Sequence, residues 1–535
     1  MKRKLSIHLP VIDAVADVCH AKPGPTTEKK PLPIWRASFR MALVAAVSVA
    51  AAVVMASGMT GCADMSGIES KAVLLDGPSF GLRTMPFTPV VPDLSTAAHT
   101  QWWEEFGDKQ LNTLVAQALQ SNPSLKIAQA RQARAQAVIA VTDAAFLPQV
   151  GAQLDATQQR YTTNGLVPPP LAGTIRETGT AQLNASWEFD FFGKNRAALD
   201  AAIGSLHAAE ADAQAASVLL ASNVTRSYFQ LIRLNEQVGV ARRTLSQREE
   251  TLKLVQDRVN AGLDTRLELR QSEGGLPEAR LQLESLQDQM ALNRNALGAL
   301  IGLGSVKNTL LDISLSPQAA IKNVAIESTI PADLLARRAD ITAARWRVEA
   351  SIGDVANTKT QFYPNINLVA FTGFSSIGLN RLFDSGSQQW GVGPALRLPI
   401  FDSGRLRATL RTKTADLDAA VASYNAAVLD AIRDVADQLT SVQSIARQQV
   451  EQRVASQAFE SAYDIAVQRY KAGLGNYLNV LTAETNVLLQ RRAAVDLLAR
   501  LLDTQVALIR ALGGGYQPRT ETIPVAFKKT ELTAN

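Results

Sequence analysis

Four short matches recur in one order along the chain at a nearly constant distance. Phe146, Leu147 and Pro148 answer to Phe362, Tyr363 and Pro364, and Phe192 with Arg196 answers to Phe401 with Arg405, at offsets of 216 and 209. Arg258, Ala261, Gly262 and Leu263 answer to Arg469, Ala472, Gly473 and Leu474, and Ile301 with Gly302 to Leu512 with Gly513, both at 211. Such self-similarity is the mark of a tandem duplication, so whatever one copy folds into, the chain must hold twice.

Each copy reads as helix, strand, loop, strand, very long helix, turn, helix. Val150, Ala152, Leu154 and Ala156 alternate with polar neighbours, and so do Ala181, Leu183, Ala185, Trp187 and Phe189. In the second copy Trp390, Val392, Pro394, Leu396, Leu398 and Ile400 repeat the pattern, whereas after Pro364 it is broken by Val369 and Phe371, which fall on the face begun by Asn365 and Asn367. Period-two segments of about ten residues suit tilted membrane strands. A soluble hairpin lying over a core is the other reading of each pair. Loops rich in turn-formers, Thr162 to Gly179 and Ser375 to Ser387, separate the strands.

After Gly193 neither Pro nor paired Gly interrupts the chain until Gly262, and after Gly404 none does until Gly473. Each run would extend for on the order of 100 Å as one helix. Their apolar residues step by three and four, as in Leu220, Val224, Tyr228, Leu231, Leu234 and Val238, which is the seam of a helix packed on a helix. Gly262 and Gly473 end these helices, and Gly274, Gly275 and Pro277 predict a kink after the first turn.

Charge and cysteine usage narrow the function. The chain of 535 residues carries 54 basic and 49 acidic residues, but eight basic and three acidic ones precede Cys62, which leaves 46 of each beyond Gly61. A neutral remainder gives no footprint for nucleic acid. With two cysteines, Cys19 and Cys62, and only His99 and His207 beyond the leader, neither a disulfide framework nor a zinc site can be assembled. No phosphate-binding loop or nucleophile constellation stands out, so the chain is read as a non-enzyme that needs no cofactor and no metal. Beyond Cys62 the methionines are Met65, Met85 and Met290, too few for a soft-metal relay.

From Met41 to Met59 runs a weakly apolar stretch with Arg36 and Arg40 before it and Gly61 and Cys62 after it. Basic flank, apolar run and small residues describe an export signal, with a membrane anchor as the alternative. Met59, Thr60, Gly61 and Cys62 resemble a bacterial lipobox, which implies acylation of Cys62 as the first mature residue. Ala63 follows it in place of the inner-membrane retention aspartate, which favours the outer membrane.

Four strands leave two bare edges, and unpaired backbone groups are costly in hydrocarbon. Single-chain barrels start at about eight strands, so membrane strands in this number require several chains to close one barrel. The residues Trp102, Trp103, Phe106 and Leu111, Asn122 and Pro123, Trp187 through Gly193, Pro331 through Asp340, and Phe401, Asp402, Gly404 and Arg405 then carry a resemblance. In order and over nearly everything from Trp102 to Gly513, the chain resembles the outer-membrane efflux proteins, the TolC-like factors, and among them the lipidated NodT-like members of RND-type systems.

The resemblance implies a mixed membrane α/β fold: a homotrimeric, twelve-stranded β-barrel with four strands per chain, continued by a long α-helical periplasmic barrel. It implies a passive outer-membrane channel of a tripartite pump that carries small molecules such as drugs, partnered by a periplasmic adaptor, an inner-membrane RND-type transporter and outer-membrane lipid. An exit duct for protein secretion and a lipid-anchored coiled-coil scaffold without a lumen are the alternatives. The expected divisions are a signal peptide at 1–61, an extended segment at 62–101, repeats at 102–305 and 331–513 around a linker at 306–330, and a tail at 514–535. Strands are expected near 147–160, 180–191, 363–374 and 388–401, with helices near 194–260, 264–302, 403–470 and 475–512.

In similar proteins the two turns far from the membrane close the tunnel and meet the adaptor. That places a gate at Gly262, Thr265 and Glu268 in the first turn and at Arg469, Tyr470, Gly473, Asn476, Tyr477 and Leu478 in the second. Thr482 stands where relatives carry an acid, which leaves Glu484 and Glu268 as the acids near that level, and Ala339 interrupts an Arg-Arg-Pro-Asp pattern. The pairs Arg242–Arg243 and Arg491–Arg492 read as solvated faces.

Overall fold

In the computed structural model the described residues are 65–74, 100–303 and 338–516. The signal region, Cys62 and the segment 306–330 lie outside them. Among the described residues no helix is long and apolar enough to cross a membrane.

The first repeat opens on a single 3-10 turn, Trp102–Phe106, whose three aromatic residues are buried. Phe106 meets Phe229 edge to face with ring centroids 5.0 Å apart. Asp108 then caps α1 (Lys109–Ser121), accepting from the Gln110 and Leu111 amides at 2.8 and 3.2 Å, and Asn122 caps α2 (Pro123–Asp143), which has Pro at its first position. The same Asp108 carboxylate accepts from the Tyr228 hydroxyl at 2.6 Å, so one side chain both starts a helix and fixes it to the next.

Two strands follow, β1 (Gln149–Arg160) and β2 (Ile175–Phe189), and then α3 (Lys194–Asn260), of 67 residues, and α4 (Arg266–Leu300), of 35. The second repeat supplies α5 (Ala339–Thr360), β3 (Asn365–Ile377), β4 (Gln388–Arg397), α6 (Arg405–Lys471) and α7 (Tyr477–Ala511). Both long helices have 67 residues, both return helices have 35, and each pair is offset by 211, so the duplication read from short matches is a duplication of architecture.

On α6 the buried residues Thr414, Val421, Val428 and Val435 recur every seventh position, the period of a coiled-coil seam. Where α3 crosses α5 the contact is backbone on backbone. A Cβ on Gly353 would sit 2.8 Å from the Ala201 nitrogen, and one on Gly204 would sit 2.9 Å from the Ala350 nitrogen, so only glycine permits this approach. α4 continues as one helix through Gly274, Gly275 and Pro277, and Arg248 of α3 donates to the Gly275 carbonyl there at 2.7 Å.

The strands form one antiparallel sheet in the order β1-β2-β3-β4, with β1 and β4 at its edges. Register sets Val150 opposite Ala185, Ala185 opposite Ala370 and Ala370 opposite Val392, so the apolar faces of all four strands merge into one. That face is exposed in the single chain, with Leu154 at 75% and Trp390 at 77%. On the opposite face polar side chains are joined, across the strands where Gln389 donates to Gln182 at 2.9 Å and along β1 where Gln153 donates to Asp155 at 2.6 Å.

The broken alternation of β3 has its cause on the neighbouring strand. Phe371 and Val369 lie on the polar face directly opposite Gly391 and Gly393 of β4, and the Phe371 ring fills the place a Gly391 side chain would take. The strands also reach further into the loops than the turn-forming residues suggest. Arg176, Glu177 and Thr178 pair with Gln159, Gln158 and Thr157, and β3 continues to Ile377.

Residues 66–73 lie along α6. The Asp418 carboxylate accepts from the Ser70 hydroxyl at 2.6 Å and from the Lys71 and Ala72 amides at 3.1 Å each, while Asn425 donates to the Val73 carbonyl at 2.9 Å.

Candidate functional site

Both long helices end in the same way. Gly262 and Gly473 take φ of +72° and +74°, and the next residue turns back to the helix, Leu263 N to Arg258 O and Leu474 N to Arg469 O, each at 2.8 Å. The return helices then start on side-chain caps. Thr265 accepts from the Leu267 amide at 3.1 Å while Glu268 accepts from the Thr265 amide at 2.9 Å and from its hydroxyl; in the second turn Asn476 accepts from the Asn479 amide at 3.1 Å. The Thr265 hydroxyl is the chief reason the Glu268 carboxyl lies below its ordinary pKa.

The two turns meet through residues of unlike repeats. Arg258 holds Asp264 with both ends of its guanidinium, at 2.9 and 3.2 Å, and its remaining nitrogen donates to the Tyr470 carbonyl at 3.1 Å. The Tyr470 hydroxyl closes the circuit by donating to Asp264, and the Arg258 guanidinium lies 4.6 Å from the centre of the Tyr470 ring. Burial alone would raise the Asp264 pKa; hydrogen bonds from Arg258 and Tyr470 outweigh it and hold the carboxyl below its usual value. Burial, reinforced by Asp264, pushes the Tyr470 hydroxyl above the usual tyrosine value.

Beneath this circuit Tyr470 and Tyr477 are buried with Val255, Tyr463, Val480 and Val487, their rings 6.0 Å apart. Leu263, Leu267, Leu474 and Leu478 point outward instead and are 57–70% exposed. Arg469 is exposed and, among the described residues, its side chain reaches the Leu474 carbonyl alone, at 3.4 Å.

Farther from the turns, polar contacts join α3 to α7 along their length. Arg248 donates to Glu484 of α7 at 3.1 Å and also to Glu278 of α4 at 2.9 Å, Arg233 donates to Asp496 at 2.7 Å, and Arg226 pairs with Asp503. Glu484 is thereby a buried partner of Arg248, and Thr482 spends its hydroxyl on the Leu478 carbonyl at 2.9 Å. Arg491 departs from the solvated reading, since it grips Glu460 at 2.6 and 2.7 Å and Gln247 at 3.2 Å. Among the described residues no group of His, Cys, Asp and Glu could hold a metal ion.

The structure gathers Gly262, Thr265, Glu268, Arg469, Tyr470, Gly473, Asn476, Tyr477 and Leu478 at one end of the two helical hairpins. Sequence reasoning passed over Arg258 and Asp264 as functional residues. Their signal was the repeat itself: Arg258 has a counterpart in Arg469, but Asp264 has none, because Gly475 stands in its place.

Comparisons with known proteins place the chain in a family. The model of the family described as outer membrane efflux protein matches residues 114–303 and 330–514. The multidrug resistance outer membrane protein MdtQ of Escherichia coli O6:H1 is 33% identical over 431 residues, spanning 78% of this chain and 88% of its own. MdtP of Escherichia coli K12, likewise named a multidrug resistance outer membrane protein, is 31% identical over 437 residues, covering 80% and 88%. Among solved structures, the outer membrane protein VceC of Vibrio cholerae superposes with a TM-score of 0.71 at 36% identity, over 78% of this chain and all of the other.

Proposed function

The chain belongs to the outer membrane efflux protein family, and from that premise we propose that it is the outer-membrane duct of a tripartite RND-type system, passively conducting small molecules from periplasm to exterior. The observation that carries the proposal is the four-stranded sheet with one continuous apolar face and two unpaired edges. In lipid those edges must be paired, and four strands are too few to pair them with each other. Three copies supply a twelve-stranded barrel with the amide-lined face turned to water, and the helices attached to each sheet continue as the wall of a tunnel.

At the far end of that tunnel the Arg258–Asp264–Tyr470 circuit holds the two hairpins of a protomer together, and Gly262, Thr265, Glu268, Arg469, Gly473, Asn476, Tyr477 and Leu478 shape the gate around it. The exposed leucines on the same turns offer an apolar rim to a periplasmic adaptor. Acylated Cys62 is the proposed anchor, and the residues that follow it run down α6 as a strap pinned at Asp418. The names of MdtQ and MdtP support drugs as the cargo class.

The test uses the full-length protein purified from outer membranes in detergent. Heat-labile trimers that conduct in planar bilayers once the tip circuit is removed are the expected result, and cysteines at Gly473 or Asn476 should crosslink to an adaptor. A protein that stays monomeric and dissolves without detergent after deletion through Cys62 would overturn the proposal.

A further inference from the structure

The two passages from sheet to long helix are copies of one another, yet their charges differ. Glu188 and Arg397 stand at matching places, each four residues ahead of the matched Phe192 and Phe401, and Lys194 and Arg405 each begin a long helix. In the first repeat Glu188 and Lys194 neutralise each other at 3.0 Å. In the second, two arginines occupy both places.

Nearby carboxylates keep their charge but are bound by backbone amides rather than by the arginines. Asp190 accepts from the Asn195 and Arg196 amides at 3.0 and 2.9 Å, and Asp402 from the Gly404 and Leu406 amides at 3.0 and 2.8 Å. Among the described residues no carboxylate lies within ion-pair distance of Arg397 or Arg405. Both arginines and Lys194 line, with the carboxylates Glu188 and Asp190, a cavity of about 450 Å³ under the sheet, three cations against two anions. It opens on the polar face, where Arg397 is directly opposite Asn365 and Glu188 directly opposite Asn367.

Resting on the duct reading above, we infer that Arg397 and Arg405, repeated in each copy, form a cationic collar where the barrel meets the helical tunnel, and that this collar makes the duct favour anionic solutes. Rings of like charge set the preference of a pore, and walls of low dielectric concentrate their field. Because screening reaches full effect within about 8–10 Å at ordinary ionic strength, the bias in a wide tunnel is partial rather than absolute.

Full-length protein reconstituted in planar bilayers tests this, with Tyr470→Phe in every arm to relax the tip. The reversal potential in a KCl gradient reads the chloride-to-potassium permeability ratio. Replacing both arginines (R397Q with R405Q) should lower that ratio by roughly twofold or more, Lys194→Gln should lower it by freeing Glu188, and both differences should shrink in high salt. Replacement by lysine at both positions should restore the ratio, and the single R397Q variant gives the reading if the double variant assembles poorly. Conducting trimers whose ratio is the same with and without the arginines would overturn the collar and leave the duct standing. Absence of trimers and current in every arm, the parent included, would overturn the duct and the collar with it.

Discussion

At the first turn Asp264 sits between the Gly262 reversal and the Thr265 cap; 211 residues later the same place is Gly475. The reversals are alike, from the left-handed glycines to the 2.8 Å return bonds, and each return helix starts on a side-chain cap, although Glu268 closes a capping box where the second turn has Asn479. The difference that joins the two turns is the Asp264 carboxylate. It binds the arginine of its own turn and the tyrosine of the other, while Arg469, the repeat-mate of Arg258, is left in solvent with a 3.4 Å contact to a carbonyl. Duplicated frameworks thus gave two similar ends, and two unmatched side chains, Asp264 and Tyr470, join them through Arg258.

The sharpest way to break that comparison is Asp264→Ala. It removes both Arg258 bonds and the Tyr470 bond at once and leaves Arg258, about one-eighth exposed, without its counter-charge. Hydrogen bonds to charged groups contribute about 1.5–3 kcal/mol each. With every 1.4 kcal/mol worth tenfold, one such bond corresponds to roughly ten- to a hundredfold, so the loss of all three should open closed tips by at least that much per protomer, read as single-channel open probability. Tyr470→Phe loses one bond of the three and should open the tip less.

Glu484→Gln comes next. Arg248 keeps Glu278 and the Gly275 carbonyl, so the variant weakens rather than orphans it, and about tenfold in open probability is expected with the trimer intact. This also separates the turn from the seam above it, since Glu484 lies on α7 and touches neither Asp264 nor Tyr470.

Acid should reproduce part of the Asp264 effect. A carboxyl whose folded pKa is lowered stabilises the closed tip above its unfolded value and loses that contribution as pH falls through the folded one, below about pH 4. Tyr470, raised by burial and by Asp264, keeps its proton and its contribution below the usual tyrosine value of about 10 and loses it only above that. Conductance recorded against pH should therefore stay flat from about pH 5 to 9 and rise on the acid side, and the acid rise should vanish in Asp264→Asn.

What could be read from sequence was what repeats locally. Period two gave the apolar faces of β1, β2 and β4, and steps of three and four gave the buried positions Leu220, Val224, Tyr228, Leu231 and Leu234 of α3. β3 resisted because the reason for Phe371 lies on another strand, in the empty place beside Gly391. Likewise Asp264 and Tyr470 are 206 residues apart, and no local pattern joins them. Arg491 read as solvated because its neighbour Arg492 suggested a charged face, whereas Glu460, 31 residues earlier, brings it in. The circuit was legible only as a mismatch between copies: Arg258 repeated, Asp264 not.

That mismatch yields the smallest and most discriminating test, Gly475→Asp. The position does not take the left-handed φ that favours glycine, and a Cβ there would meet the Arg469 Cβ at 3.6 Å, a normal contact, so the backbone admits a side chain. An aspartate placed as Asp264 is placed would reach Arg469. Because Arg469 is exposed, the new pair should add only about 0.2–1 kcal/mol, screened by salt. Open probability should fall by roughly twofold at low ionic strength and return toward the parent value in high salt. If Gly475→Asp instead closed the tip as firmly as Asp264→Ala opens it, the burial of Arg258 would not be what distinguishes the turns. The strength of the first turn would then lie in having a carboxylate at all, rather than in the shelter that Tyr470 and its aromatic neighbours give it.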